Sequence, residues 1–319
     1  MRYDRLLHLG NVVMDLVLEV PVLPERGGDV LATRTGSTPG GGFNVMAAAA
    51  RQGLPVLYAG AHGTGPFGDR ARAALRTEGI ETLLPPRAQP DTGFVVCLVD
   101  AEGERTFVTS PGAEATLTPE DLAQLRPGPG DLVYLSGYGL LYESNRAALT
   151  GWLPQLDPAV TLVVDPGPLV HEIPSTALEL LTARADWWSC NAREAALLTG
   201  IDDPSAAAHA VRSRLKRGSA LVRTGPDGCL LHHDGTLDVI PGFAVDAVDL
   251  NGAGDAHTGA FMAALAQGLA PAAAARRANA AAAMAVTAPG PATAPDAHTL
   301  DDFLRQARPA PVPRGTTSY

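Results

Sequence analysis

Residues 249–261 read Asp249-Leu250-Asn251-Gly252-Ala253-Gly254-Asp255-Ala256-His257-Thr258-Gly259-Ala260-Phe261. A loop of small residues opens directly into an apolar, alanine-rich helical pattern, and a carboxylate sits on the first turn of that helix. No bulky side chain blocks the backbone at Gly252, Ala253 and Gly254, so three consecutive N–H groups can converge on an anion. The positive end of the helix adds to the attraction. A carboxylate beside an anion hole is electrostatically awkward if the loop only stores phosphate. It makes sense if Asp255 takes a proton from a hydroxyl that attacks a phosphoryl group held by the loop. Taken alone, the same residues also fit an N-capped helix after a glycine turn.

Upstream of this stretch, strand-like runs at 132–135, 161–165, 187–190 and 220–223 alternate with helical patterns at 144–153, 175–183, 194–199 and 205–216. Alternation of this kind predicts a parallel sheet with helices on both faces, and ligands beyond the carboxyl ends of its strands. A first buried strand is expected over 6–13, interrupted at Gly10-Asn11. The β-rich runs at 16–22, 30–36 and 93–109 do not fit the alternation. They predict a small separate sheet that lies over the cleft as a lid.

The chain has 319 residues, 46% of them hydrophobic and 18% charged, with a formal net charge of −10. It carries no basic stripe, which argues against nucleic acid or an anionic membrane as a main partner. Backbone amides and a metal ion can still give an acidic protein a local positive field for phosphates. Its three cysteines, Cys97, Cys190 and Cys229, are scattered and fit buried free thiols in a reducing compartment. No apolar run reaches the ~18 residues of a membrane span, so a cytoplasmic location is expected.

Several linked motifs now carry a resemblance. Besides Asp249 and Gly252–Asp255, Gly40-Gly41-Gly42-Phe43-Asn44 is followed by Gly53 and Gly63, Asn191-Ala192-Arg193-Glu194 follows a strand, and Thr224-Gly225-Pro226-Asp227-Gly228 follows another. In order and spacing the set resembles the ribokinase-like (PfkB) family of carbohydrate and nucleoside kinases, over about residues 5–306. The resemblance implies an α/β fold, a three-layer α/β/α sandwich with a mostly parallel central sheet and a small β-sheet lid. It places one kinase domain over 1–307, lid strands at about 13–37 and 92–110, and a flexible tail over 308–319. Three positions depart from the family pattern: Met46 and Ala294 stand where smaller or hydroxylated residues are usual, and His257 stands where Phe is usual.

The resemblance also implies roles. Asp255 would be the general base, with Gly252, Ala253 and Gly254 as the anion hole. Asp15, Gly41, Gly42 and Asn44 would bind a polyhydroxylated acceptor. Tyr138, after a strand at the ligand end, either stacks on a sugar face or a base, or packs. Asn191, Thr224, Gly225 and Gly228 would bind ATP, and Asn279 would border its adenine. Glu194 would act on Mg²⁺ through water. Carbonyls near Asp249, Asn251, Ala285, Ala288 and Gly290 would surround a monovalent cation such as K⁺. His257 is read as a packed, hydrogen-bonded residue rather than a proton shuttle.

The implied reaction is ATP-dependent phosphorylation of a free sugar or similar polyol. The alternatives are a nucleoside, a sugar phosphate, or a pseudokinase that only senses ligand. The retained Asp255 and Glu194 argue against the last. Arg26, Arg34 and Arg105 fall in or near the lid and could serve a phosphorylated substrate. A dinucleotide-dependent oxidoreductase would need a GxGxxG turn after the first strand, which Gly10-Asn11-Val12-Val13-Met14-Asp15 does not supply. The apolar lid segments 16–22 and 94–99 would permit a homodimer through the lid.

Overall fold

The computed structural model describes residues 3–307, so the tail expected over 308–319 lies outside the described residues. In chain order the elements are β1 (Arg5–Leu9), β2 (Val12–Glu19), β3 (Arg34–Gly41), α1 (Gly42–Arg51), β4 (Val56–Tyr58), α2 (Pro66–Thr77), β5 (Glu81–Thr82), β6 (Phe94–Val99) and β7 (Arg105–Ser110). Then follow α3 (Pro119–Leu122), β8 (Asp131–Ser136), α4 (Glu143–Trp152), β9 (Thr161–Asp165), α5 (Ser175–Arg184), β10 (Trp187–Asn191), α6 (Ala192–Thr199), α7 (Pro204–Arg214) and β11 (Ser219–Arg223). The chain continues through β12 (Gly228–His233), β13 (Thr236–Pro241), α8 (Ala253–Ala266), α9 (Pro271–Ala285) and α10 (Ala297–Gln306).

Nine strands form one sheet in the order β13-β12-β11-β10-β9-β8-β1-β4-β5. From β11 to β5 every pairing is parallel, and β12 and β13 extend the edge as an antiparallel hairpin. Successive side chains on a strand face opposite ways, and here both faces are apolar, as a sheet covered on both sides requires. Leu7, Leu9, Val133, Leu135, Leu162 and Val164 pack on one side with Leu149 of α4, Leu181 of α5 and Val211 of α7. Leu6, Leu132, Tyr134 and Val163 pack on the other with Met46 of α1, Leu75 of α2, Phe261 of α8 and Ala278 of α9. Helix α10 closes over α9 through Leu300. Among the described residues, no helix is long and apolar enough to cross a membrane.

A second sheet has the order β3-β2-β6-β7, antiparallel at both outer pairs and parallel between β2 and β6. It differs from the sequence expectation in two places. The run 6–13 is two strands in two sheets, because the chain turns at Gly10-Asn11. A Cβ at Gly10 would lie 2.4 Å from His8 Cε1, so only glycine makes that turn here. The strand expected at 30–36 lies instead at Arg34–Gly41. It runs into the glycine cluster itself and pairs Gly40 with Val13 and Gly41 with Val12.

The β12–β13 hairpin was not anticipated, although its signal is present in Asp234-Gly235. Both residues adopt positive φ there, 48° and 80°. Helix α2 has no local side-chain cap. Asp91 supplies one from afar, accepting from the amides of Gly65, Phe67 and Gly68 at 3.0 Å each. All three cysteines are free and buried.

Candidate active site

Helix α8 begins at Ala253 after Gly252, which adopts the left-handed conformation at φ 76°. A Cβ there would fall 1.8 Å from the Pro291 carbonyl oxygen, so sterics as well as φ demand glycine. No side chain caps the helix. The amides of Gly254 and Asp255 find no acceptor among the described residues, while Ala253 N–H makes only a long 3.4 Å contact to Leu250 O. Uncapped first-turn amides are an anion site in waiting.

Asp255 sits on this first turn. Its Oδ2 accepts from Asn44 Nδ2 at 3.0 Å, across 211 residues of sequence. Asn44 Oδ1 is buried without a partner. Burial pushes the Asp255 carboxyl up to about 6; the Asn44 bond and Arg223 pull it down, and the negative Asp165 and Asp15 push it further up. Asp15 on β2 is likewise raised to about 6 by burial. It packs against Gly40, where a Cβ would lie 2.2 Å from its Oδ2. Gly41 caps α1 at φ 60°, and a Cβ at Gly42 would strike the buried His8 ring. The structure therefore brings Asp15, Gly41, Gly42, Asn44 and Asp255 together at the mouth of α8.

A second cluster lies at the carboxyl ends of β9, β10 and β11. Asn191 and Glu194 form a reciprocal capping box on α6, each side chain accepting the other's amide at 2.8 Å. Arg223, the last residue of β11, reaches Asp165 Oδ2 at 3.1 Å and Glu194 Oε2 at 3.6 Å. Burial raises the Glu194 carboxyl, with Asp165 adding to the rise and Arg223 opposing it. Burial works against the charge of Arg223, but Asp165 and Glu194 keep it firmly protonated. Tyr138 borders both clusters, and its phenol is raised to about 12 by burial and then by Glu194, Asp255 and Asp165.

Thr224 and Gly225 form the tight turn from β11 to β12, with Gly225 at φ 66° and Gly228 at φ 102°. Arg223 is the functional candidate that sequence reasoning passed over. Its signal was an arginine ending the apolar run Ala220–Val222, immediately before the Thr-Gly turn.

Asn279 is buried on α9, and its amide is fully engaged. Its Nδ2 donates to the carbonyls of Ile240 at 2.9 Å and Pro241 at 3.1 Å, so its Oδ1 is the acceptor facing His257 Nε2 at 3.0 Å. His257 thus donates from Nε2, and burial drives its imidazolium pKa down to about 3. It is packed, neutral and hydrogen-bonded.

The two segments expected around a monovalent cation do meet. Val248 and Asp249 donate to Val286 O, and Asp249 Oδ2 accepts from Gly290 N. Their donor set is partly taken, however. Thr293 Oγ1 donates to Ala285 O at 2.8 Å and approaches Gly290 O at 3.3 Å, and Arg105 of the second sheet ion-pairs with Asp249 Oδ1. Asn251 donates its amide to the same Asp249 oxygen, and Ala288 N lies 3.4 Å from Ala285 O. Arg105 pairs with the Asp249 carboxylate and leaves the backbone carbonyl of Asp249 unengaged among the described residues.

Comparison with known proteins places this geometry. The chain is 31% identical over 265 residues to an uncharacterised sugar kinase, YegV, of Escherichia coli (strain K12), covering 82% of each. It is 31% identical over 264 residues to the ATP-dependent ribose-1-phosphate kinase of Halopiger xanaduensis, covering 81% of this chain and 84% of that one. The aminoimidazole riboside kinase of Salmonella enterica, crystallised with aminoimidazole riboside and an ATP analogue, superposes with a TM-score of 0.78 at 27% identity, covering 94% of this chain and 100% of that one. Residues 4–298 match the model of the pfkB family carbohydrate kinases. The chain therefore belongs to that ribokinase-like family and is a carbohydrate kinase, a phosphotransferase with an alcohol group as acceptor.

Proposed function

We propose that the protein transfers the γ-phosphoryl group of ATP to a hydroxyl of a free sugar or similar small polyol, with Asp255 as the general base. The observation that carries this reading is the Asn44–Asp255 hydrogen bond at the uncapped start of α8. It holds a carboxylate of raised proton affinity beside free backbone donors. Asp15, the glycines 40–42 and Asn44 Oδ1 orient the acceptor's hydroxyls, and Tyr138 lies against its ring. Asp255 then takes the proton of the attacking hydroxyl. The amides at Gly252–Gly254 meet the γ-phosphoryl oxygens, and the Thr224–Gly225 turn meets the other phosphates.

Among the described residues, no group of three or more His, Cys, Asp or Glu could hold a metal by itself. Mg²⁺ would supply neutralisation of the phosphates' charge at this site. Glu194 would hold its waters through Oε1, since Oε2 is taken by Asn191 N and Arg223. The second sheet covers the cleft and keeps water from the phosphoryl group. Its exposed Phe107 and Val108 offer an apolar face for a homodimer.

A free acceptor is favoured over a phosphorylated one because two of the three arginines near the lid are already paired, Arg34 with Glu19 and Arg105 with Asp249. The test is a coupled ADP assay with Mg²⁺ over free sugars, nucleosides and sugar phosphates, with wild type and Asp255→Asn. Wild type is expected to turn over free sugars. Asp255→Asn should lose roughly 10²–10⁴ in kcat while still binding an ATP analogue. Near-normal turnover by that variant would remove Asp255 as the base.

A further inference from the structure

Arg223 has more donors than its two carboxylate partners use. Nη1 donates to Ser189 Oγ at 2.5 Å and Thr258 Oγ1 at 3.2 Å, and Nη2 faces Asp165 and Glu194. These partners come from β9, β10, α6 and α8, so the guanidinium is fixed on several sides, with its side chain only 12% exposed. The remaining donor, Nε–H, has no acceptor among the described residues. A Cβ on Gly254 would sit 3.5 Å from Nε and 3.6 Å from Nη2, so this edge of the guanidinium lies against a glycine of the anion cradle. Three carboxylates, those of Asp165, Glu194 and Asp255, surround the site, and all three repel an incoming phosphate. Arg223 is the cationic side chain set among them.

We propose that Arg223 is a catalytic residue of the phosphoryl transfer, its Nε–H directed past Gly254 at the γ-phosphoryl oxygens. The proposal rests on the kinase reading above. As the acceptor oxygen bonds to phosphorus, its proton passes to Asp255, and the bond to ADP breaks with its electron pair leaving on the β-phosphate oxygen. Arg223 keeps its own proton throughout. It offers fixed positive charge and a hydrogen bond that shortens as negative charge moves across the equatorial oxygens. A lysine would keep the charge but lose the planar fork that lets one side chain hold Asp165 and Glu194 while still facing the cradle. A Cβ at Gly254 would stand in van der Waals contact with this edge of the guanidinium.

The test uses the full chain with its best acceptor, comparing wild type, Arg223→Met and Arg223→Lys. Circular dichroism and thermal melting establish that each variant folds. Arg223→Met is expected to lose roughly 10²–10³ in kcat with little change in the acceptor KM, as for loss of one transition-state donor. Millimolar guanidinium should restore part of that kcat, and Arg223→Lys should recover only part of it. A folded Arg223→Met with wild-type kcat overturns the proposal. So does a variant set in which Lys restores both melting temperature and full kcat while guanidinium does nothing, because that is the signature of a counter-ion that only holds the fold. An active wild type with indifferent variants sinks this proposal alone. A wild type inactive on every acceptor sinks the kinase reading, and this proposal with it.

Discussion

A carboxylate of ordinary acidity is a weak base at neutral pH, and the surroundings of Asp255 change that. Its pKa near 6 lets it stay ionised at pH 7 yet hold a proton more tightly than a solvent-exposed aspartate. Activity requires the ionised form, so kcat/KM should fall as pH drops through about 6. Asn44 donates to the ionised carboxylate and lowers its pKa. Asn44→Ala should therefore move the acid limb to higher pH as well as weaken acceptor binding, which a pH series of kcat/KM would read. The same shift has a stability sign. The folded pKa lies above the ordinary aspartate value of 3.8, so the folded state binds the extra proton in the window between them, and stability falls as pH rises through it. Asp255→Asn removes that loss. The variant should gain urea midpoint over wild type at about pH 8, with the gain shrinking toward about pH 4. An equal gain at both pH values would mean that the buried charge is not its source.

At the scale of elements, the site depends on how closely α1 approaches α8. Gly259 lies one helical turn beyond Asp255, where a Cβ would fall 2.5 Å from the Val45 carbonyl and 2.6 Å from Ala48 Cβ. That contact brings Asn44, on α1, within hydrogen-bond reach of Asp255, on α8. Gly259→Ala should push the helices apart and cost about 1–3 kcal/mol by overpacking. It should also lower kcat more than a surface change of equal stability cost, because the Asn44 bond lengthens. Paired denaturation and kinetics on Gly259→Ala would check this. The helix's own apolar pattern pointed to a buried α8, and its small residues were legible as helix formers. That one of them is a spacer between two helices 211 residues apart in their key partners could not be read locally.

Over the whole molecule, two apolar layers sandwich one sheet, and a second sheet reaches across to the loop before α8. Among the described residues, Arg105–Asp249 is the ion pair that joins this second sheet to the body. Asp249 also accepts from the amides of Asn251 and Gly290, so the pair links the second sheet to the approach of the anion cradle. Breaking it should loosen closure without touching the chemistry. Arg105→Ala is expected to raise the acceptor KM several-fold and to increase ATP hydrolysis relative to transfer, with kcat under saturation nearly unchanged. A wild-type ratio of hydrolysis to transfer would show that closure does not depend on this pair.

Fold class, the parallel sheet, the glycine loop and the carboxylate after it were all determined by the sequence alone. Each of these rests on short-range pattern: apolar strand runs alternating with helical spacing, and glycines where a side chain would block a backbone. The tertiary structure alone decided which polar groups face one another. Asn44 became the partner of Asp255, Asn279 turned its amide to the β13 carbonyls and His257, and Thr293 came within hydrogen-bond distance of the Ala285 and Gly290 carbonyls. Arg223 acquired meaning only when Asp165, Ser189, Glu194 and Thr258 closed around it. Hydrogen bonds and charges act over a few ångströms in space, and residues distant in sequence come within that range only once the sheet and its helices have packed.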